Sequence, residues 1–168
     1  MKNENRVRVK HPLNVVKDKD SKILILGSFP SVKSRELDFY YMNKYNRFYR
    51  VISYLLKEDF INASIENKIY LLIKHNIAIY DVVKECEIIN SSDSSINVIE
   101  YLDLDEILSN TKINHIFLNG NKAYDLFIKK YPYMKNISTK LLSTSSANAR
   151  CSLELLIDNW KIILDYLN

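Results

Sequence analysis

The stretch KILILGSFPSVKSR, residues 22–35, runs four apolar residues into a glycine and a polar loop. A short apolar run of this kind reads as a buried strand, and its stop at Gly27 reads as the start of a loop. A second run, INHIFLNG at 113–120, ends on Gly120 in the same way. The chain has only 2 glycines in 168 residues, so each marks a position that no other residue fits. Both fall at the carboxyl ends of predicted strands, the edge where open parallel sheets bind ligands.

Further strand-like runs lie at Ile77–Tyr80 and Ile137–Leu142, with amphipathic segments between them. Phe48, Val51, Ile52, Leu55 and Leu56 repeat with helical spacing, as do Ile65, Ile69, Leu72 and Ile73. Ala123, Leu126 and Phe127 form a third stripe. Leu153, Leu156, Ile157, Trp160 and Leu164 predict a long C-terminal helix. Strands alternating with helices predict an α/β fold, a parallel sheet covered on both faces. No repeat, linker or low-complexity tract divides the chain, so residues 1–168 are expected to form a single domain.

Composition narrows the function. Apolar content is 47% and charged content 26%, ordinary for a globular protein, and no apolar run is long enough for a membrane span. The N-terminal MKNENRVRVKHPLN carries basic residues without an apolar core, so a cytoplasmic protein is expected. Cys86 and Cys151 are too few for a structural zinc or iron–sulfur cluster and read as free thiols. The net charge is +4, and Lys33, Arg35, Lys44, Arg47 and Arg50 crowd into the segment after the first strand. That cluster is either a solvated helix face or a surface for phosphates.

The loops after the strands lack the common signatures of α/β enzymes. There is no G-x-G-x-x-G, no phosphate-binding G-x-x-x-x-G-K-[ST] and no G-x-S-x-G. His11, His75 and His115 are scattered, which supports neither a metal centre nor a histidine base. What remains is Asn, Ser, Asp and aromatic side chains with cations nearby, a set suited to a flat hydrogen-bonding ring beside phosphates.

Ordered segments then carry a resemblance. HPLNVV (11–16), LGSFPSVKSRELDFYY (26–41) with NRFYRV (46–51), IAIYDVVKEC (77–86) with SSDSSI (91–96), FLNGNKAYDLF (117–127) and LLSTSSANA (141–149) resemble, in order, the motifs of the uracil-DNA glycosylase superfamily. Within it the chain is most similar to the DNA-deoxyinosine (hypoxanthine-DNA) glycosylases. Tyr49 and Tyr80 stand where that family commonly has tryptophan, and Leu142 and Ser146 replace two prolines of the last motif, which puts the rigidity of that loop in question. The first loop, Ser28 to Ser31, lacks the Asp or Asn that many superfamily members place there.

The resemblance implies a three-layer α/β/α fold with a central four-stranded parallel sheet, and a monofunctional DNA glycosylase. Such an enzyme takes a deaminated base out of the stack and hydrolyses its glycosidic bond. It implies catalysis by Asn46, orienting water and supporting the departing base, although Asn46 also suits a helix N-cap. Gly27, Ser28 and Phe29 would approach, bond and stack on the base, Asn119 would read its edge, and Asp81 would orient a neighbouring loop. Lys33, Arg35, Lys44, Arg47 and Arg50 would meet phosphates. Ser143, Thr144, Ser145, Ser146 and Asn148 would form the minor-groove loop, with Asn148 alternatively capping the last helix. DNA containing deaminated bases is the expected partner, with no metal or cofactor, and a monomer is expected. Uracil preference and a non-catalytic nucleic-acid-binding module are the competing readings.

Overall fold

The computed structural model describes residues 5–89 and 92–168; the first four residues of the basic N-terminal stretch, and Asn90 and Ser91, lie outside it. Strand β1 (Val7–Lys10) precedes β2 (Ile23–Gly27), followed by helices α1 (Val32–Glu36), α2 (Phe48–Leu56) and α3 (Ile65–Lys74). Then come β3 (Ile77–Asp81), β4 (Val83–Ile88), β5 (Asn97–Tyr101), α4 (Leu104–Leu108), β6 (His115–Asn119), α5 (Asn121–Lys130), β7 (Ser138–Leu141) and α6 (Leu153–Trp160).

Strands β3-β2-β6-β7 form the expected four-stranded sheet, parallel throughout. Alternation within the strands sends residues to opposite faces. Ile23 and Ile25 join Ile77, Ile79 and Phe117 under α2, α3 and α6, whereas Leu24 and Leu26 join Ala78, Ile116 and Leu118 under α4 and α5. Both faces are therefore covered, which gives three layers. No helix is long and apolar enough to cross a membrane among the described residues.

Two expectations need correction. The segment after the Ile77–Tyr80 run, expected as one of the loops that follow the strands, instead carries β4, which pairs antiparallel with β1 and β5 in a second, three-stranded sheet. Irregular register around Glu85 and Cys86 breaks its period-2 pattern, which is why the strand does not read from sequence. The C-terminal helix is shorter than expected: α6 ends at Trp160 and continues as a 3₁₀ segment, Lys161–Tyr166. Its N-cap is Ser152, whose hydroxyl accepts from Leu155 N–H, and Asn148 has no part in capping it.

The chain passes from one sheet to the other at Val82, whose N–H donates to Gly27 O; Val83 N–H donates to Ser28 O. This crossing holds the first loop against the end of β3. Both glycines sit as their scarcity suggests. Gly120 has φ +97°, a backbone that favours glycine, and Gly27 is required by a close approach described below.

Candidate active site

A cleft of about 400 Å³ opens at the carboxyl ends of β2, β3 and β6, and the loops after β2 and β7 close its sides. The volume is in the range of small-ligand sites. Gly27, Ser28, Phe29, Asn46, Asp81 and Asn119, read separately from sequence, all line it, as do Ser143, Thr144, Ser145 and Ser146.

Asn46 stands one residue before the α2 cap position, Arg47, which makes no side-chain capping bond. Its Oδ1 accepts from Phe48 N–H at 3.0 Å and from the Thr144 hydroxyl at 2.8 Å. Capping and pocket placement therefore coexist. A backbone N–H can only donate, so Phe48 fixes which end of the carboxamide is oxygen. With both lone pairs of Oδ1 engaged, the free part of Asn46 is its Nδ2, for which no described residue is an acceptor. Asn46 thus offers the cleft donors and no acceptor.

Asn119 is partly committed within the protein. Its Oδ1 accepts from Thr144 N–H at 3.0 Å, and its Nδ2 donates to Thr144 Oγ1 at 2.9 Å. One N–H and one lone pair remain for anything in the cleft. The outcome is a chain, Asn119 to Thr144 to Asn46, that ties the end of β6 through the last loop to the start of α2.

The loop that lost two prolines relative to the resembled motif is held by other means. The Arg47 guanidinium donates to the carbonyls of Cys151, Asn148 and Ser145, and Arg47 N–H donates to Thr144 O. Asn148 Nδ2 donates to Ser143 O, and Trp160 Nε1 to Leu142 O at 2.9 Å. Arg47 is therefore turned inward as a loop clamp, which corrects its placement among phosphate contacts. Asn148 likewise has its amide used within the loop.

Of the other cations, Lys44 and Arg50 are exposed. Lys33 is exposed and lies 3.8 Å from Glu36. Arg35 is half-buried; it donates to Pro30 O at 3.0 Å, and its guanidinium sits 5.5 Å from the Phe29 ring centre. Phe29 is nearly buried, packing on Val83, Cys86 and Ile88 while also forming part of the cleft wall. It is both a core anchor and a ring available to the cleft.

Asp81 ends β3 and is buried. Its Oδ2 accepts from His11 Nε2 at 2.7 Å, and the His11 side chain is fully buried. His11 joins the site from the HPLN segment, 70 residues away, contrary to its reading as scattered. His75 instead meets Glu58, and His115 meets Thr139. A Cβ on Gly27 would fall 2.5 Å from Asp81 Oδ1 and 3.1 Å from the Tyr41 hydroxyl, so only glycine lets this carboxylate lie across the end of β2.

Three further site members do not read from sequence. Besides His11, Tyr41 has φ +57° and a buried hydroxyl that completes no hydrogen bond among the described residues, two costs borne by one residue. Burial, then the nearby Asp81 charge, raises its pKa against the pull of the Asn119 amide. Asp93 accepts from Ser28 Oγ at 2.6 Å. Although the residue is exposed overall, its carboxyl faces the cleft, and loss of water raises its pKa, against the pull of Ser28 and Lys122. Asp93 lies in the SSDSSI segment of the resemblance, so a signal existed; Tyr41 had none beyond its motif. No three His, Cys, Asp or Glu side chains cluster as a metal site among the described residues.

No family model matches the chain. A hypoxanthine DNA glycosylase from Methanosarcina acetivorans is 33% identical over 150 residues, covering 86% of this chain and 91% of that protein. One from Methanosarcina barkeri is 29% identical over 138 residues, covering 79% and 84%. A solution NMR structure of a candidate uracil DNA glycosylase from Methanosarcina acetivorans superposes with a TM-score of 0.82 at 30% identity, across 96% of this chain and 99% of that one.

Proposed function

The chain belongs to the hypoxanthine DNA glycosylase family, and from that premise we propose that it excises hypoxanthine from deoxyinosine in DNA with Asn46 as a catalytic donor. The observation that carries the assignment is the fixed amide of Asn46, a residue of the cleft wall: Phe48 and Thr144 hold its oxygen, so its uncommitted group is Nδ2. An amide cannot take a proton, but a preorganised donor stabilises charge as it develops on the leaving base.

In this reading the flipped purine stacks on Phe29, with Gly27 and Ser28 beneath its edge. Hypoxanthine has a 6-oxo acceptor and an N1–H donor, whereas adenine has an amino group and a bare N1. Asp93, held by the Ser28 hydroxyl, offers the acceptor that N1–H needs. Adenine would leave that carboxylate unpaired, the kind of mismatch that discriminates strongly. The remaining N–H of Asn119 is a further donor to the ring, and Ser143, Ser145 and Ser146 face the DNA backbone as the minor-groove loop, with Thr144 buried behind them and Asn148 bracing the loop from within. The enzyme acts as a cytoplasmic monomer, without metal or cofactor.

Single-turnover excision on duplexes and single strands carrying inosine or uracil tests this reading. Release of hypoxanthine supports it. Preferential release of uracil would reassign the substrate, and binding without release would leave a nucleic-acid-binding module.

Two further outcomes are expected. With Arg47 committed to the loop and Arg35 held against Pro30 O and the Phe29 ring, Lys33, Lys44 and Arg50 remain for phosphates. If each meets one, log K for DNA should fall against log salt with a slope of about −2.7; a flat titration would make them a solvated face. No lysine lines the cleft among the described residues, so no Schiff base with the sugar is expected. Borohydride reduction during turnover should trap no covalent DNA adduct, and a trapped adduct would require a lyase mechanism.

A further inference from the structure

We propose that Asp81 is the catalytic carboxylate of this cleft and that His11 is its positioning residue, an assignment that rests on the glycosylase reading and adds the proton acceptor that Asn46 cannot be. The argument begins with the histidine. Leu13 N–H donates to His11 Nδ1 at 3.2 Å, so Nδ1 carries no hydrogen. The ring hydrogen is therefore on Nε2, directed at Asp81 Oδ2. His11 is a neutral imidazole that orients the carboxylate without cancelling its charge.

No Lys or Arg among the described residues lies within 4.0 Å of Asp81, whose only close basic partner is His11. A buried carboxylate without a counter-cation is costly. In a cleft that breaks a glycosidic bond, the missing cation has an identity: the oxocarbenium-like sugar of the transition state. Binding that charge only as it forms lowers the barrier rather than the ground state.

Oδ1 has the remaining role. No described group donates to it, and the bare Cα of Gly27 leaves it room. Asn46 Oδ1 has no lone pair free, and Asp93, held by Ser28, is taken in this reading by the N1–H of the base. Water attacks C1′ of the deoxyribose, and the C1′–N9 bond breaks with its electron pair passing to the purine. One proton of the water moves to Asp81 Oδ1 and is later lost to solvent. The base, stabilised by the Asn46 donors as it leaves, takes a proton from solvent. The products are the abasic sugar, with a hydroxyl at C1′, and free hypoxanthine.

The test measures single-turnover excision, affinity for inosine duplex and thermal melting for wild type, Asp81→Asn, His11→Ala and the double variant. The carboxamide in Asp81→Asn would keep an oxygen for His11, so folding should survive. Asp81→Asn should slow excision by about 10²–10³-fold with affinity changed no more than about twofold. His11→Ala, outside the cleft wall, should slow it by about tenfold, a fraction of the loss at the carboxylate itself. The double variant should be no slower than Asp81→Asn alone, because His11 acts through Asp81. An active wild type with an equally active Asp81→Asn overturns this assignment alone, as do multiplicative losses in the double variant. If Asp81→Asn does not fold, a folded His11→Ala with the wild-type rate overturns it. A wild type that excises neither base would fail the glycosylase reading itself.

Discussion

Asn46→Asp is expected to lower single-turnover excision of hypoxanthine by about 10²–10³-fold, the loss typical of one preorganised donor. Aspartate keeps an oxygen for Phe48 N–H and the Thr144 hydroxyl, the two bonds that hold Asn46. It replaces only Nδ2, the atom left to the cleft. A carboxylate at the start of α2 is also favoured by the helix dipole, so the fold should be retained. Asn46→Ala removes donor and acceptor together and should add about 1 kcal/mol of instability from the lost cap. Affinity for inosine duplex should change little in either variant, because the donor matters as the bond breaks. Single-turnover conditions are needed so that product release does not hide the chemistry. A fully active Asn46→Asp protein would show that no donation from this position is used.

Trp160→Ala is expected to cost about 3–5 kcal/mol of stability, the range for removing a fully buried large aromatic. Trp160 is completely buried and meets the Phe48 ring edge-on at 5.8 Å, joining α6 to α2. Its indole N–H also anchors Leu142 O at the head of the last loop. Trp160→Phe keeps most of the ring contact and loses that anchor, so it should cost nearer about 1 kcal/mol while weakening excision from duplex more than its stability loss explains. Urea denaturation followed by circular dichroism separates the two. A loss under about 1 kcal/mol for Trp160→Ala, well below the range for a buried aromatic, would mean that α6 is not part of the cooperative core.

The parallel sheet was legible because three of its four strands are short apolar runs, one ending on Gly27 and one running into Gly120. The antiparallel sheet was not. In β4, Glu85 points inward to meet Arg8, and the register shift beside it interrupts alternation, so neither cue for a strand survives. Much of the site was legible residue by residue, since Ser28, Asn46, Asp81 and Asn119 follow or flank predicted strands and helices. Their partnerships were not. His11 and Asp81 are distant in sequence, as are Asn46 and Thr144, and no local spacing encodes which side chains meet. Arg47 shows the limit from the other side: a cation in a basic cluster looks like a phosphate ligand until the carbonyls around it are known.

The indole that anchors Leu142 has one more consequence, because Trp160 is the only tryptophan in the chain. Its emission reports a single hydrogen bond at the root of the loop proposed to enter the minor groove. Polarity or quenching changes on mixing with DNA would therefore time the movement of that loop, without any attached dye, against the later appearance of the abasic site.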